Sequence, residues 1–133
     1  MYIFLISPVR AINDIVFAKV KAYVSRLESE GHIVYWPYRD TAQNDPSGGY
    51  NICRANVSGM LGADEIHIWY DETSNGSKFD MGTLFVLVEI LGHKKRIVIA
   101  NEADAAALDK DNKKSFLKVL QHIVARQNAE RQM

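Results

Sequence analysis

Residues 71–82 contain the side chains and backbone amides that typically hold phosphate, together with a carboxylate. Ser74, Gly76 and Ser77 lie between an apolar strand and an apolar helical run, where a helix N-terminus favours an anion. Asp80 follows in what we predict to be the first turn of that helix. A carboxylate in a pocket can attack an anomeric carbon or stabilise an oxocarbenium-like transition state. The segment therefore predicts a site for the phosphate and sugar of a nucleotide.

Each of these residues also has an ordinary structural explanation. Serine and glycine are common in loops that lead from strand to helix. A first-turn acid such as Asp80 complements the helix dipole without any ligand. The segment matches neither the P-loop nor the GxGxxG pattern, so neither of those nucleotide sites has a motif to support it. The functional interpretation depends on a pocket around Asp80.

Four further residues follow predicted strands and would face the same crevice. Ser7 and Arg10 come after the first strand, and arginine can pair with a phosphate or carboxylate in fork geometry. Tyr38 comes after the second strand and offers a ring for stacking on a base. Asp71 ends the third strand and is a candidate second acid. A solvated arginine and an aromatic residue at the rim of the core are the ordinary alternatives.

Short β-rich runs alternate with longer runs of helical periodicity along the chain. We predict strands over residues 2–6, 32–36, 65–70 and 96–100, and helices over residues 13–30, 50–61, 79–91 and 113–126. This alternation predicts parallel βαβ units with right-handed crossovers. The predicted fold is therefore α/β, a three-layer sandwich with a small parallel sheet of the flavodoxin or Rossmann type. Ligands bind such sheets at the carboxyl ends of the strands.

Residues 1–133 are predicted to form a single domain, with a polar tail that frays from about residue 127. The polar stretch over residues 39–49 has the length of a functional lid or of a disordered segment.

Composition excludes several classes of partner. The 16 basic and 16 acidic residues cancel, so net charge favours neither a DNA or RNA polymer nor a membrane surface. No apolar run reaches the roughly 18 residues of a membrane span. The one cysteine, Cys53, fits a reducing cytoplasm. The four histidines lie on separate predicted elements, so we predict no metal site.

Several segments, taken in order, resemble the nucleoside 2-deoxyribosyltransferase family, and especially its 2′-deoxynucleoside 5′-monophosphate N-hydrolases. Residues 2–10 look like the opening strand and turn of that family, and residues 30–34 are similar to its second strand. Residues 63–66 resemble the entry to its third strand, and residues 92–95 stand where it has Gly-Lys-Pro. Residues 74–82 match the signature Ser-x-Gly-x-x-aromatic-Glu-x-Gly, with Asp80 in the place of the glutamate.

The resemblance implies roles for particular residues. Asp80 would be the counterpart of the nucleophilic glutamate, and Ser74 and Gly76 would hold the 5′ phosphate, with Ser77, Ser7 and Arg10 beside them. Asn56 falls, by spacing, where the family has an aspartate that positions the substrate. No cofactor is implied, because the sugar supplies its own electrophile and water or a second base completes the turnover. Family members are oligomers whose neighbours complete the pocket, so we expect a homodimer or a higher homo-oligomer.

Three positions depart from the family pattern. Asp80 is one CH₂ shorter than glutamate, and misplacement of a reacting group by about 1 Å can cost on the order of 10²-fold in rate. Asn56 cannot act as a base. Phe4 falls where the family has a supporting tyrosine, and Tyr2 would supply that hydroxyl only if the strand slipped by two residues. The Ser-x-Gly turn is unchanged, which favours binding over catalysis.

Two functional hypotheses from different classes result. The first is an enzyme that binds a small (deoxy)nucleoside or its 5′-monophosphate and cleaves or transfers at the N-glycosidic bond, as a hydrolase or a transferase. The second is a non-catalytic nucleotide-binding or sensing module with the same fold. A plain structural domain, with the turn around Gly76 unliganded, is a third possibility.

Overall fold

Strands and helices alternate along most of the chain. A computed structural model describes residues 1–10, 12–109 and 113–132. In chain order the elements are β1 (Tyr2–Ile6), α1 (Asp14–Ser29), β2 (Ile33–Tyr35), α2 (Pro37–Asp40), α3 (Tyr50–Gly62), β3 (Glu65–Ile68), α4 (Asn75–Phe85), a π-helical turn (Val86–Ile90), β4 (Arg96–Ile99), α5 (Glu102–Leu108) and α6 (Phe116–Arg131). Within the described residues no helix combines the length and the apolar character needed to cross a membrane.

The four strands form one parallel sheet in the order β2-β1-β3-β4. β1 lies in the middle, where Phe4 is paired with Tyr35 of β2 on one side and with Ile66 of β3 on the other. The predicted parallel α/β sheet is confirmed.

Side chains of β1 alternate between two apolar cores, one on each face of the sheet. Ile3 and Leu5 pack with Val20 and Val24 of α1 on one face. Phe4, on the other face, belongs to the core formed with α3, α4 and α6. One helix on one face and three on the other produce the predicted three layers.

α4 begins earlier than its apolar pattern indicates. The predicted start was residue 79, but the helix starts at Asn75 because Ser74 caps it, with the Ser74 Oγ accepting a hydrogen bond from Ser77 N. Asp80 therefore lies in the second turn, where the helix dipole no longer accounts for an acid. The two short helices α2 and α5 were predicted as loops.

α6 continues to Arg131, beyond the predicted end of this helix at residue 126. The physical reason is Gln127, which binds the open edge of β4. Its Oε1 accepts from Ile97 N and its Nε2 donates to Lys95 O, both at 2.9 Å. A polar side chain thus ties the last turns of α6 to the sheet.

The polar stretch over residues 39–49 is an ordered connection. Its first residues belong to α2, and Thr41 is buried. Asp45 caps the start of α3, where its Oδ2 accepts from Ile52 N and its Oδ1 accepts from Ser47 N. Hydrogen bonds of this kind hold the segment at both ends, in contrast to a disordered segment.

α3 lies unusually close to the sheet at Gly59. A methyl group added to Gly59 would lie 2.8 Å from Phe4 Cδ2 and 2.9 Å from Phe4 Cε2, closer than carbon atoms can approach. The Phe4 ring has no room to withdraw, because it is fully buried and stacks on Tyr35 with 5.3 Å between ring centroids. This contact sets the distance between α3 and β1. It therefore also fixes the position of Asn56, which lies one turn before Gly59 on α3.

We expect Gly59→Ala to destabilise the fold by about 1–3 kcal/mol, because the added methyl forces α3 away from the Phe4 ring. Gly62→Ala, at the end of the same helix and with no atom near the added methyl, is the matched control. The control should gain up to about 1 kcal/mol from better helix propensity. Urea denaturation of both variants measures the effect, and equal stability of the two would contradict this account of the contact.

Candidate functional site

The candidate site lies where the carboxyl ends of β1 and β3 meet. These strands are neighbours although β2 separates them in the chain, which makes this the point where the order of the strands reverses. Open α/β sheets bind their ligands at such points. Ser7 follows β1 here, and Ser74 caps α4 shortly after β3.

Asp80 of α4 and Asn56 of α3 come together on the face of the sheet that α3 and α4 cover. Both are buried, with 8% and 7% of their surfaces exposed. The Asn56 carboxamide interacts with the Asp80 carboxyl. The structure thus brings together the two residues that the resemblance assigned to catalysis and to substrate positioning.

Burial raises the pKa of Asp80 from 3.8 to about 6, and the interaction with Asn56 lowers it in part. The physical cause is desolvation, which penalises the carboxylate more than the neutral acid. A carboxyl group with its pKa close to neutral pH can exchange charge states during a reaction, and such groups concentrate at functional sites.

The two serines of the turn form the cap of α4. Ser74 Oγ donates to Ser77 Oγ at 2.9 Å and accepts from Ser77 N at 3.2 Å, and Ser77 is only 2% exposed. The amides of Asn75 and Gly76 remain as first-turn donors, since a helix offers them no internal acceptor. Both residues are exposed, and the space beside Gly76 is open. Asn75 was missed from the sequence because its amide, not its side chain, is the donor.

The spacing between this helix start and Asp80 suits a sugar phosphate. Asp80 comes four positions after Gly76, which is a rise of about 6 Å along the helix axis. Helical side chains tilt toward the N-terminus, so the Asp80 carboxyl leans toward the same end as the Gly76 amide. A phosphate at the helix start would therefore place its own sugar near Asp80.

Ser7 and Arg10 follow β1 in different environments. Ser7 is 7% exposed, and its buried Oγ has no hydrogen-bond partner among the described residues. A buried hydroxyl without a partner is costly, so this one is suited to accept or donate to a ligand atom. Arg10 is exposed.

Tyr38 and Asp71 are held by contacts of their own. Tyr38 stacks on Trp36, with 5.3 Å between ring centroids, and touches Phe17 of α1. Asp71 Oδ1 accepts from the amide and the hydroxyl of Thr73. Asp71 lines a cavity of about 760 Å³ between α1, α5 and the start of α6, which Asp80 does not line. Asp71 and Asp80 therefore do not share this cavity, and it does not bring them together as a catalytic pair.

A tyrosine hydroxyl does approach the Asp80 site. Phe4 has no hydroxyl, and Tyr2 does not supply this one. Tyr2, the first residue of β1, is 56% exposed and pairs with Ile33 at the start of β2. Tyr35 of β2, which stacks on Phe4, lies with its hydroxyl 2.7 Å from Thr41 Oγ1, and Thr41 Oγ1 lies 3.0 Å from Asn56 Oδ1. Sequence reasoning considered Tyr35 only as a ring for stacking on a base and missed Thr41, because only the register of β1 and β2 reveals that Phe4 and Tyr35 are neighbours.

Comparisons of the chain with protein-family models, with curated proteins and with solved structures found no match. Within the part of the chain that the structure describes, no three His, Cys, Asp or Glu side chains lie together as a metal would require. The function of the site is therefore inferred from the geometry around Asp80.

Asp80→Asn is expected to stabilise the protein by about 3 kcal/mol at pH 8, because an amide removes the cost of a buried charge. The pKa is higher in the folded state, so the cost is complete above about pH 6 and disappears as the pH falls toward 3.8. The gain should therefore shrink to almost nothing near pH 4.

Urea denaturation at pH 8, 6 and 4 measures this difference. Asp14→Asn, at an exposed position in the first turn of α1, is the control and should show no comparable gain. A gain for Asp80→Asn that does not change with pH would contradict the buried charge as its cause.

Proposed function

We propose that this protein binds a 2′-deoxynucleoside 5′-monophosphate and cleaves its N-glycosidic bond, passing the deoxyribosyl group to water or to a second base. The observation that carries the proposal is the buried Asp80 carboxyl, which interacts with Asn56 one helical turn from the exposed N-terminus of α4. The resemblance to the nucleoside 2-deoxyribosyltransferase family supports it independently.

In the proposed reaction the Asp80 carboxylate acts on C1′ of the sugar. It forms a bond to C1′, or stabilises the oxocarbenium-like cation there, while the base departs with the electron pair of the glycosidic bond. Water or a second base then attacks C1′ and displaces Asp80, and the proton that it loses goes to the departed base. The low exposure of Asp80 strengthens its interaction with the developing positive charge, because water screens that interaction less.

The phosphate would lie at the start of α4. The amides of Asn75 and Gly76 supply donors there, and the helix dipole favours the negative charge. The Ser77 hydroxyl, whose own proton is not used in its bond with Ser74 Oγ, and the unpartnered Ser7 Oγ are further donors, and the Arg10 guanidinium is a counter-charge at the rim.

Asn56 would orient the substrate. Its carboxamide already contacts Asp80, so a sugar hydroxyl beside the carboxylate would fall within its reach. The shorter Asp80 side chain is the departure that most affects rate, and the depth of the pocket beside α3 determines whether C1′ can approach it.

A non-catalytic nucleotide-binding module is the second candidate. The observation that favours it is the contrast in exposure between Gly76, which is open to solvent, and Asp80, which is 8% exposed. A phosphate can reach the helix start directly, whereas contact between C1′ and Asp80 requires a sugar to enter the crevice.

We further propose that the protein acts in the cytoplasm as a homodimer or a higher homo-oligomer. Phe79, Val86 and Ile90, along α4 and the π-helical turn, are 56%, 46% and 68% exposed. Large apolar side chains in a row on one segment suit coverage by a second copy.

We expect free base to appear when the protein is incubated with deoxynucleoside 5′-monophosphates, and chromatography against ribonucleotides and nucleosides measures it. Asp80→Asn should lower the rate by at least about 100-fold, because the amide cannot act as a nucleophile. The wild-type rate should also fall as the pH drops below about 6, where Asp80 becomes protonated. Binding without base release would favour the module, and release that survives Asp80→Asn would rule out this mechanism.

Gly76→Ala is expected to weaken binding of a 5′-monophosphate by about tenfold, which is 1.4 kcal/mol, because the added methyl blocks close approach to the helix amides. Binding of the nucleoside without phosphate should not change. Gly82→Ala, on the same helix and equally open, is the matched control for helix propensity. Calorimetric titration of both variants checks this, and equal affinities for the monophosphate would place the phosphate elsewhere.

A further inference from the structure

A chain of hydrogen bonds leads from the second strand to Asn56, which interacts with Asp80. The Tyr35 hydroxyl lies 2.7 Å from Thr41 Oγ1. Thr41 Oγ1 donates to Asn56 Oδ1 at 3.0 Å, and the Asn56 side chain in turn contacts the Asp80 carboxyl. Four side chains from β2, the connection after α2, α3 and α4 therefore form one polar path inside the apolar core.

The direction of every proton in this path is determined by chemistry. An amide oxygen only accepts, so the single Thr41 proton goes to Asn56 Oδ1. Because Thr41 has no second proton, Tyr35 must donate to Thr41 Oγ1. With Oδ1 engaged, the Asn56 Nδ2 group is the one that faces Asp80. All donors therefore point toward Asp80.

We propose that Thr41 and Tyr35 are positioning residues, which lock the Asn56 carboxamide with its Nδ2 hydrogens facing Asp80 and so hold Asp80 as a carboxylate. This inference extends the proposed function, since a carboxylate is the form that would react. Without the Thr41 hydroxyl the carboxamide can turn its oxygen toward Asp80, an arrangement that only a protonated Asp80 tolerates.

The charged groups on the elements around α4 are paired elsewhere, so the polar path from Tyr35 to Asn56 is what acts on Asp80. α3, β1 and the π-helical turn pack most extensively against α4, and α6 also faces it, where Lys78 and Phe116 line a shared cavity. β1 presents apolar side chains, and the Glu89 carboxylate of the π-helical turn is paired with Arg126 at 2.6 Å. On α4 itself, Lys78 Nζ lies 3.8 Å from Glu72 Oε1.

Asn56 does not titrate, but α3 carries three side chains that do, Tyr50, Cys53 and Arg54. Cys53 is half-buried, and the exposed Arg54 donates to the hydroxyl of Tyr50. Among the described residues, burial and Asn56 are the causes that shift the pKa of Asp80. The orientation of the Asn56 carboxamide is thus the main influence that can lower the pKa of Asp80 against the effect of burial.

Thr41 is held in place by the turn that carries it. It is 7% exposed, and its carbonyl accepts from Gln43 Nε2 at 2.9 Å. Just before it, Asp40 Oδ2 accepts from Trp36 N and pairs with the Arg39 guanidinium. The Tyr35 ring is held by its stack on Phe4. The hydroxyl that is absent at Phe4 is thereby replaced from the neighbouring strand, through Thr41.

The test compares Thr41→Val, which keeps the shape and loses the hydroxyl, with Thr41→Ser, which keeps the hydroxyl. Carbon-13 NMR of the side-chain carboxyl groups against pH measures the pKa of Asp80 directly, and the missing signal of Asp80→Asn assigns it. We expect Thr41→Val to raise this pKa by about one unit, a tenfold change in proton affinity, and Thr41→Ser to leave it near the wild-type value. Tyr35→Phe should raise it by a smaller amount.

An equal pKa in the valine and serine variants would overturn the proposal. If Thr41→Val does not fold, Tyr35→Phe decides, and an unchanged pKa there would also overturn it. The readout is independent of catalysis. A raised pKa without base release from any nucleotide would support the positioning role and count against the proposed reaction, whereas base release with an unchanged pKa would do the reverse.

Discussion

The close contact between Gly59 and the Phe4 ring is the constraint on which the rest of the site depends. A helix with any larger residue at that position would lie farther from β1. Because α3 lies so close, Asn56, one turn earlier, reaches Asp80 of α4. The same approach brings Asn56 Oδ1 within 3.0 Å of Thr41 Oγ1. One missing side chain in the packing of a helix on a sheet thus determines which polar groups meet in the core.

The consequence of this packing is a carboxyl group in an unfavourable environment. Asp80 is buried on a helix that packs on the apolar core, and burial raises its pKa to about 6. Folding alone would favour an amide or an apolar residue at this position. A protein retains a destabilising carboxyl group mainly where that group takes part in binding or catalysis. The interaction that opposes this rise in the pKa of Asp80 comes through a path of hydrogen bonds that begins at Tyr35, not through an ion pair.

Local patterns predicted much of the fold. The four strands and the long helices follow from patterns of residues close together in the chain, and the structure confirms them apart from shifts at their ends. The helix α2 was missed because its four residues are too few for a periodic pattern. The end of α6 was placed too early, since the hydrogen bonds of Gln127 to β4 join residues about 30 apart in the chain.

The sequence by itself determined the parallel α/β fold, the turn from Ser74 to Ser77 at the start of α4 and the presence of a carboxyl residue one turn further on. These are local properties, because caps and periodicities depend on residues a few positions apart. Only the tertiary structure decided that Asp80 is buried, that Asn56 contacts it and that Tyr35 and Thr41 complete the path. The physical reason is that burial and hydrogen bonding between distant residues depend on how helices pack on the sheet, and a single close contact at Gly59 sets that packing.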